Sequence, residues 1–387
     1  MNSVEIEPIM DLGQIPFHIG VANTPSNEDF PDLLPFSIGI RSGIGLLVQL
    51  PNETVRSYLE QVYRKGSIVG TPVTDEGFGR RYADDFLSFV CNWFQPRNAR
   101  ELRVLEIGCG SGYLLHRLKE LGADVLGVEP GEYALMGREK YNIEIVHDSF
   151  PNQEVSSAGP FDVVIHHGVL EHLEDPAFSL EMQARCLTDS GVIIFAVPDC
   201  REYILKGDVS MFLHEHWSYF SPSSLKSLLE SVGLCLLCWN ESRFGGVLHV
   251  VGGKKGKPVH GLLSRDGLDL FRERVENGIR NTKLFFDEAV RDRRSIGIFC
   301  PARIANLLAL VHPRQMPRFF DDDARLTGKY YPPMEVPVES RASLLIEPVD
   351  ELIIMSRSFG TGLKSELSSH GPLGKTRIRL ASELMGQ

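Results

Sequence analysis

Three glycines stand at alternate positions in the segment VLEIGCGSGYLL, residues 104–115. They are Gly108, Gly110 and Gly112, and they follow an apolar run that ends at Glu106. A strand that leads into a glycine-rich turn and then a helix brings main-chain N–H groups close to a nucleotide. The dinucleotide fingerprint G-x-G-x-x-G would place its third glycine at position 113, which is Tyr113 here. The spacing therefore indicates a nucleotide site of a different kind.

Acidic residues also end the next two apolar segments. Glu129 ends VLGVE, and Asp148 ends IEIVHD. A carboxylate after the second strand can accept two hydrogen bonds at once, which suits the paired hydroxyl groups of a ribose. Turn glycines and helix-capping acids alone do not account for an acidic residue at three successive strand ends.

Two histidine-rich segments carry candidate bases. They are HHGVLEH (166–172) and FLHEHWSYFS (212–221). A base that works near neutral pH is usually a histidine or a carboxylate with a perturbed pKa. We therefore look for proton-transfer chemistry in these two segments.

The elements that must position these residues alternate between strand and helix from residue 101 onward. Helical stretches between the first five predicted strands favour a parallel sheet with right-handed crossovers, and the last two strands favour a hairpin at its edge. The predicted strands are 103–108, 124–130, 143–148, 161–169, 191–199, 233–242 and 247–254. The pattern predicts an α/β, Rossmann-like fold.

The flanking segments predict two smaller parts. In the N-terminal part, a predicted strand at 44–50 precedes a helical stretch over 51–95. In the C-terminal part, a long helix over about 265–294 is followed by a strand–turn–helix unit at 295–311. Two further strands lie within 317–324 and 350–356. We expect a small N-terminal region with a helical lead-in (1–95), a nucleotide-binding domain (96–255) and a C-terminal α/β domain (256–387). The stretch 254–261 is the expected linker.

Composition limits the partners. The chain of 387 residues is long enough for two or three domains, and its net charge of −11 without a basic run argues against nucleic acid. Seven cysteines without framework spacing indicate a reducing cytosol. The N-terminus lacks a signal-peptide pattern, and no apolar run approaches the ~20 residues of a membrane span. We expect a cytoplasmic protein that acts on a small molecule.

The glycine turn, the two carboxylate-ended strands and the segment FDVVIHHGVLEHLEDP (161–176) together resemble the class I S-adenosylmethionine-dependent methyltransferases. The resemblance implies that the turn passes under the amino-acid part of S-adenosyl-L-methionine, with Glu106 acting on its ammonium group. It implies that Glu129 binds the ribose and Asp148 the adenine amino group. His167 lies close to the loop beside the reactive methyl group, and it is either a cofactor contact or a packed side chain. For His166, a packed side chain is the favoured interpretation.

The segment FLHEHWSYFSPSSLKSLLESVGL (212–234) and the C-terminal motifs resemble a narrower family, the nucleotide-sugar C-methyltransferases that act on dTDP-4-keto-deoxysugars. The resemblance implies that Glu215 and His216 are the acid/base pair, with His216 as the base, and that His172 and Tyr63 lie at the site. A core tyrosine is an equally good interpretation of Tyr63. In this chemistry a histidine removes the proton next to a ketone, and the resulting enolate takes the methyl group.

The N-terminal region departs from that family, whose members usually begin with a small zinc domain. No cysteine precedes Cys91, so a four-thiolate zinc site cannot form there, and we expect a degenerate domain without metal. Cys235 and Cys238 lie in an apolar strand and are interpreted as structural. In the C-terminal motif, Arg303 is either a phosphate ligand or a surface residue.

Two alternatives remain open from the sequence. One is an O- or N-methyltransferase of a small metabolite or natural product, built on the same scaffold. The other is a non-catalytic scaffold of methyltransferase fold, which the intact Glu-His and glycine motifs disfavour.

Overall fold

The computed structural model describes residues 5–18, 20–65, 77–94, 99–257, 267–356 and 359–384. Within these ranges the strands are β1 (Ile6–Pro16), β2 (Leu33–Arg41), β3 (Leu46–Gln49), β4 (Arg103–Ile107), β5 (Asp124–Val128), β6 (Ile145–Val146), β7 (Phe161–His167), β8 (Leu187–Pro198), β9 (Ser218–Tyr219), β10 (Cys235–Glu241), β11 (Val247–Gly253), β12 (Ile296–Phe299), β13 (Arg318–Asp321), β14 (Val338–Ser340), β15 (Glu351–Ile354) and β16 (Arg377–Leu380).

The α-helices of the same ranges are α1 (Glu53–Lys65), α2 (Phe78–Phe94), α3 (Tyr113–Glu120), α4 (Tyr133–Tyr141), α5 (Gln153–Ala158), α6 (Pro176–Arg185), α7 (Arg201–Lys206), α8 (Pro222–Ser231), α9 (Phe271–Arg291), α10 (Ala305–Val311), α11 (Arg341–Ile346), α12 (Gly360–Ser368) and α13 (Ala381–Leu384). None of the helices in the described ranges has both the length and the apolar character needed to cross a membrane. Part of the expected linker and the start of the long helix predicted from about residue 265 fall outside the described residues.

A seven-stranded sheet in the order β10-β11-β8-β7-β4-β5-β6 forms the middle of the molecule. The pairs from β8 to β6 are parallel, and β11 and β10 add an antiparallel hairpin at the edge. Strands β4, β7 and β8 consist largely of buried apolar residues, as expected where helices cover both faces of a parallel sheet. The predicted Rossmann-like α/β fold is confirmed.

A four-stranded antiparallel sheet in the order β1-β2-β3-β9 joins the N-terminal region to the middle of the chain. The short strand β9 pairs with β3, placing Leu47 opposite Tyr219. Side chains alternate along β3: Leu46 and Val48 pack into the core of the seven-stranded sheet, while Leu47 packs into a core shared with C-terminal residues. This sheet therefore contacts both neighbouring parts of the molecule.

The C-terminal residues form a five-stranded parallel sheet in the order β14-β13-β12-β15-β16. Phe299, Phe320 and Leu352 lie in a core under one face, and Ile298 and Phe319 join the core shared with β1, β2 and β3. Strands β12, β13 and β15 agree with the predicted ones. Strands β1, β2, β14 and β16 were not predicted from the sequence.

Candidate active site

The glycine-rich turn connects β4 to α3 and runs through left-handed backbone conformations. Gly108 has φ 65° and Gly110 has φ 52°, which residues with a Cβ rarely adopt. A Cβ on Gly108 would lie 2.6 Å from Cγ2 of Val169, in the turn after β7, whereas a Cβ on Gly110 would meet no atom within 4 Å. The turn is thus closed against the end of β7 at its first glycine and open above its second.

Glu129, directly after β5, holds its carboxylate against this turn. Its Oε2 accepts a hydrogen bond from the Gly110 N–H at 2.9 Å, and its Oε1 accepts one from the Gly131 N–H at 2.7 Å. Two carboxylate oxygens have about four lone-pair positions, so the group keeps capacity for further hydroxyl donors. This geometry fits the bidentate ribose contact that was predicted for Glu129.

Glu106 is the penultimate residue of β4 and is only 3% exposed. Its Oε2 finds no hydrogen-bond partner within the described part of the chain. Burial raises the pKa of Glu106 well above its ordinary value, the nearby Glu129 raises it further, and a hydrogen bond from the backbone at Leu115 acts in the opposite direction. A buried carboxylate with an unused oxygen fits a cationic group better than it fits a dry core.

Asp148 and His167 occupy the same edge of the sheet as the turn. Asp148 follows β6 and is exposed, and its Oδ1 accepts a hydrogen bond from the Ser149 N–H at 2.7 Å. His167 ends β7 and packs edge-on against Phe86 of α2, with ring centroids 5.3 Å apart. Burial, with a smaller contribution from His249, lowers the pKa of His167 to about 4. Its neighbour His166 is fully buried and stacks on Phe195, as expected for a packed side chain.

The predicted acid/base residues meet in one place, which we call the acid/base cluster: Tyr63, Glu171, His172, Glu215 and His216. The rings of His172 and His216 lie edge-on with centroids 4.9 Å apart. Nδ1 of His172 is 4.0 Å from Oε2 of Glu215. The hydroxyl of Tyr63, on α1, donates to the backbone carbonyl of Glu215 at 3.3 Å. All four residues predicted from the sequence are brought together.

Glu171 is a member that the sequence analysis missed. It lies in the short 3₁₀ turn Leu170–His172 after β7 and is 3% exposed. Burial raises the pKa of Glu171 to about 8, and a hydrogen bond from its own backbone acts in the opposite direction. The available signal was its position next to His172 directly after a buried strand, where side chains at the carboxyl end face a ligand site.

Backbone contacts hold the two halves of the cluster together. The Trp217 N–H donates to the carbonyl of Glu171 at 2.7 Å, and the Gln49 N–H of β3 donates to the carbonyl of Trp217 at 3.0 Å. The segment that carries Glu215 and His216 is thus connected on one side to the turn after β7 and on the other to the N-terminal sheet. The antiparallel sheet positions the cluster although it contributes none of its five members.

Burial leaves both imidazoles of the cluster uncharged. It lowers the pKa of His172 to about 4, and a contact with the Glu215 backbone carbonyl acts in the opposite direction. It lowers the pKa of His216 well below its ordinary value, and His172 and the Arg303 guanidinium lower it further. A neutral imidazole has one nitrogen lone pair that can accept a proton or bind a cation. The arrangement can therefore take a proton from a molecule bound beside it.

Arg303 brings a positive charge to this region from the C-terminal sheet. It ends the 3₁₀ turn Pro301–Arg303 after β12, is exposed, and donates to the Ser210 carbonyl at 3.3 Å. Its charge contributes to the lowered pKa of His216. This placement agrees with a role toward an anionic part of a bound molecule.

Comparison with known proteins identifies the middle of the chain. A family model described as a methyltransferase domain matches residues 76–238. The chain is 30% identical over 155 residues to a ubiquinone biosynthesis O-methyltransferase of Dinoroseobacter shibae, covering 36% of this chain and 62% of that protein. It is 28% identical over 165 residues to the protein of the same name from Acinetobacter baumannii strain AYE, covering 38% of this chain and 69% of that protein. It thus spans about three fifths of the length of the first relative.

Solved structures overlap with about half of the chain. The magnesium protoporphyrin IX methyltransferase of Synechocystis PCC 6803 with bound SAH is 17% identical, with a TM-score of 0.38, and covers 53% of this chain and 96% of that one. The 1,6-didemethyltoxoflavin-N1-methyltransferase of Burkholderia thailandensis is 18% identical, with a TM-score of 0.39, and covers 57% of this chain and 96% of that one.

The family match, the relatives and the glycine turn with its flanking carboxylates agree with one another. The region they share includes β4, β5, β6 and β7 and the turns that follow them. Residues 76–238 match this methyltransferase-domain family, and methyltransferases of this family use S-adenosylmethionine.

Proposed function

We propose that the chain is a C-methyltransferase acting on a nucleotide-activated keto-sugar or a similar keto acceptor. One observation carries the proposal: the buried His216 lies beside His172 and Glu171, at the same edge of the sheet as the glycine turn. The two sites are connected, because Val169 lies against Gly108 and His172 follows three residues later. A base beside the cofactor is what enolisation and methyl transfer require.

The cofactor would be held by the carboxylates of three neighbouring strands. Glu106 would pair with the ammonium group, Glu129 would accept the ribose hydroxyls and Asp148 would bind the adenine. The unused oxygen of Glu106 and the open space above Gly110 support this placement. When bound, the cofactor supplies the electrophilic methyl group that the acceptor carbon takes up.

The acid/base cluster would prepare the acceptor. His216 removes the proton from the carbon next to the ketone, and the electron pair of that C–H bond becomes the enolate. The Glu215 carboxyl lies 4.0 Å from His172, whose ring contacts the ring of His216, and a carboxylate there offsets part of the charge of the imidazolium that forms. Tyr63 holds the Glu215 backbone, and Arg303 faces the acceptor's anionic group from the C-terminal part of the chain.

The names of the curated relatives favour a second candidate, O-methylation. His216 could equally remove a proton from a hydroxyl group, and the same cluster would then serve an oxygen nucleophile. Only the acceptor distinguishes these reactions, because the base and the cofactor site are shared.

Hydrogen exchange on the acceptor separates the candidates. In D₂O, with a dTDP-4-keto-deoxysugar and S-adenosylhomocysteine, we expect deuterium to be incorporated at the carbon next to the ketone. When S-adenosylmethionine is supplied in place of S-adenosylhomocysteine, we expect methylation of the same carbon. A phenolic acceptor tested in parallel should remain unmethylated. Methylation of the phenol without exchange on the sugar would establish the O-methyltransferase. If neither reaction takes place with any acceptor, the result supports the non-catalytic scaffold.

Cofactor binding should release a proton from Glu106. Because burial raises the pKa of this carboxyl, it stays protonated to a higher pH than an ordinary glutamate, while pairing with the ammonium group requires the ionised form. Affinity should therefore fall as the pH is lowered through the raised pKa. Calorimetry in two buffers of different ionisation enthalpy measures the proton directly. Glu106→Gln should abolish the proton release; equal release in this variant would contradict the assignment.

A further inference from the structure

We propose that Glu171, His172 and His216 form a binding site for a divalent transition-metal cation of the zinc type. The binding itself is independent of the proposed acceptor. The four-thiolate site that the sequence excludes belongs to the N-terminal region, before Cys91. The new site lies inside the acid/base cluster.

Glu171, His172 and His216 form a compact set of donor atoms. Each of the three residues offers one ligand atom, and these atoms lie within 4.8 Å of one another. Two imidazole nitrogens and one carboxylate oxygen are a ligand set that zinc uses in sites with one position left open. Bond lengths of about 2.0–2.2 Å bring such ligands a little closer together, which needs side-chain rotation and no change of fold. Magnesium and calcium, which prefer oxygen ligands, are disfavoured by the two imidazoles.

Two donor atoms of this set are buried and have no hydrogen-bond partner in the described part of the chain. Oε2 of Glu171 and Nδ1 of His172 have none among the residues that the structure describes. Glu171 is 3% exposed, so bulk solvent contributes little to this carboxyl oxygen. A cation between these atoms would satisfy both of them.

Neighbouring groups hold the ligands in place and set the charge around them. The two segments that carry the ligands are joined by the hydrogen bond from Trp217 to Glu171, so the ligands are held before any cation arrives. Glu215 adds a second carboxylate 4.0 Å from His172. The Arg303 guanidinium opposes a cation, but Arg303 is exposed and the two carboxyl groups are buried. A bound cation would displace the proton from Glu171, and the resulting carboxylate would compensate part of its charge.

Occupancy has a consequence that rests on the proposed function. An imidazole that coordinates a metal has no lone pair left to accept a proton. The cation and the removal of a proton by His216 are therefore mutually exclusive. Zinc should inhibit the exchange reaction, and a chelator should restore it.

Direct binding tests the site without any acceptor. Chelator-treated protein is titrated with Co²⁺, whose visible absorption reports coordination, and then with Zn²⁺ in a calorimeter. We expect one site per chain, and at least about tenfold weaker binding in Glu171→Gln and in His172→Asn. Cys238→Ser alters the C-x-x-C segment, and this variant should bind Co²⁺ and Zn²⁺ with the same affinity as the unchanged protein. Affinity for S-adenosylmethionine confirms that each variant is folded.

The outcomes are distinct from those of the functional test. Absence of a one-to-one site, or binding that is unchanged in both Glu171→Gln and His172→Asn, overturns the metal proposal whatever the enzyme methylates. Binding lost only in Cys238→Ser assigns the metal to the thiols and also overturns it. A failed exchange reaction with intact, cluster-dependent Co²⁺ binding would instead contradict the proposed function alone.

Discussion

Replacing His216 with alanine should lower kcat roughly 100- to 10,000-fold, the range that a positioned general base contributes. The His216 imidazole is the group proposed to take the proton, and Glu171, whose pKa burial raises to about 8, is largely protonated at neutral pH and cannot replace it. Affinity for S-adenosylmethionine should not change. Deuterium exchange and methyl transfer with the keto acceptor measure the loss of kcat, and calorimetry measures the affinity for S-adenosylmethionine.

His214 provides the matched control, because it is buried in the same segment. Its ring packs against Phe17 and Phe36, with centroids 5.6 and 5.1 Å away. His214→Asn should therefore lower the free energy of unfolding while the folded fraction keeps its kcat. If His216→Ala loses less than about tenfold, or if both variants lose activity equally, His216 is not the base.

Gly110→Ala should weaken binding of S-adenosylmethionine roughly 5- to 150-fold. The added methyl group points into the open space where the cofactor is proposed to lie, and overfilling a packed site costs about 1–3 kcal/mol. Cofactor titration by calorimetry measures the loss. The variant should still fold, since no protein atom lies within 4 Å of the new Cβ.

Gly233→Ala separates the cofactor effect from backbone strain. Gly233 also has a positive φ, 75°, and also has no atom within 4 Å of an added Cβ. Both variants should lose about 1–2 kcal/mol of stability from the left-handed conformation, but only Gly110→Ala should lose affinity. Equal affinities in the two variants would show that the cofactor does not use this turn.

The N-terminal sheet has a clear structural role without thiolate ligands. Leu47, Val48 and Tyr219 are almost fully buried at the junction between β3 and β9. Burial of each large apolar side chain of this kind stabilises the folded protein by roughly 1.5–3 kcal/mol. The pairing holds the segment that carries Glu215 and His216, so the acid/base cluster depends on packing from a sheet whose strands contain none of its five residues.

Local sequence determined the cofactor side of the site. Gly108, Gly110 and Glu106 lie within five positions of one another, and Glu129 and Asp148 each end a strand with a clear apolar run. The carboxyl ends of neighbouring parallel strands share one edge of a sheet, so the order of the strands was sufficient to bring these groups together. The positions of β4 to β8, β10 and β11 could be predicted from their apolar runs.

The acid/base side was decided by tertiary structure. Tyr63 and Glu215 meet across 152 positions of sequence, and β9 is a strand of only two residues whose partner is β3. No local periodicity encodes such a pairing; only the resemblance to known methyltransferases pointed to these residues, and it did not point to Glu171. The raised pKa of Glu171 and the lowered pKa values of the two histidines are consequences of burial. Burial depends on every element packed around a side chain, and so it is a property of the folded molecule.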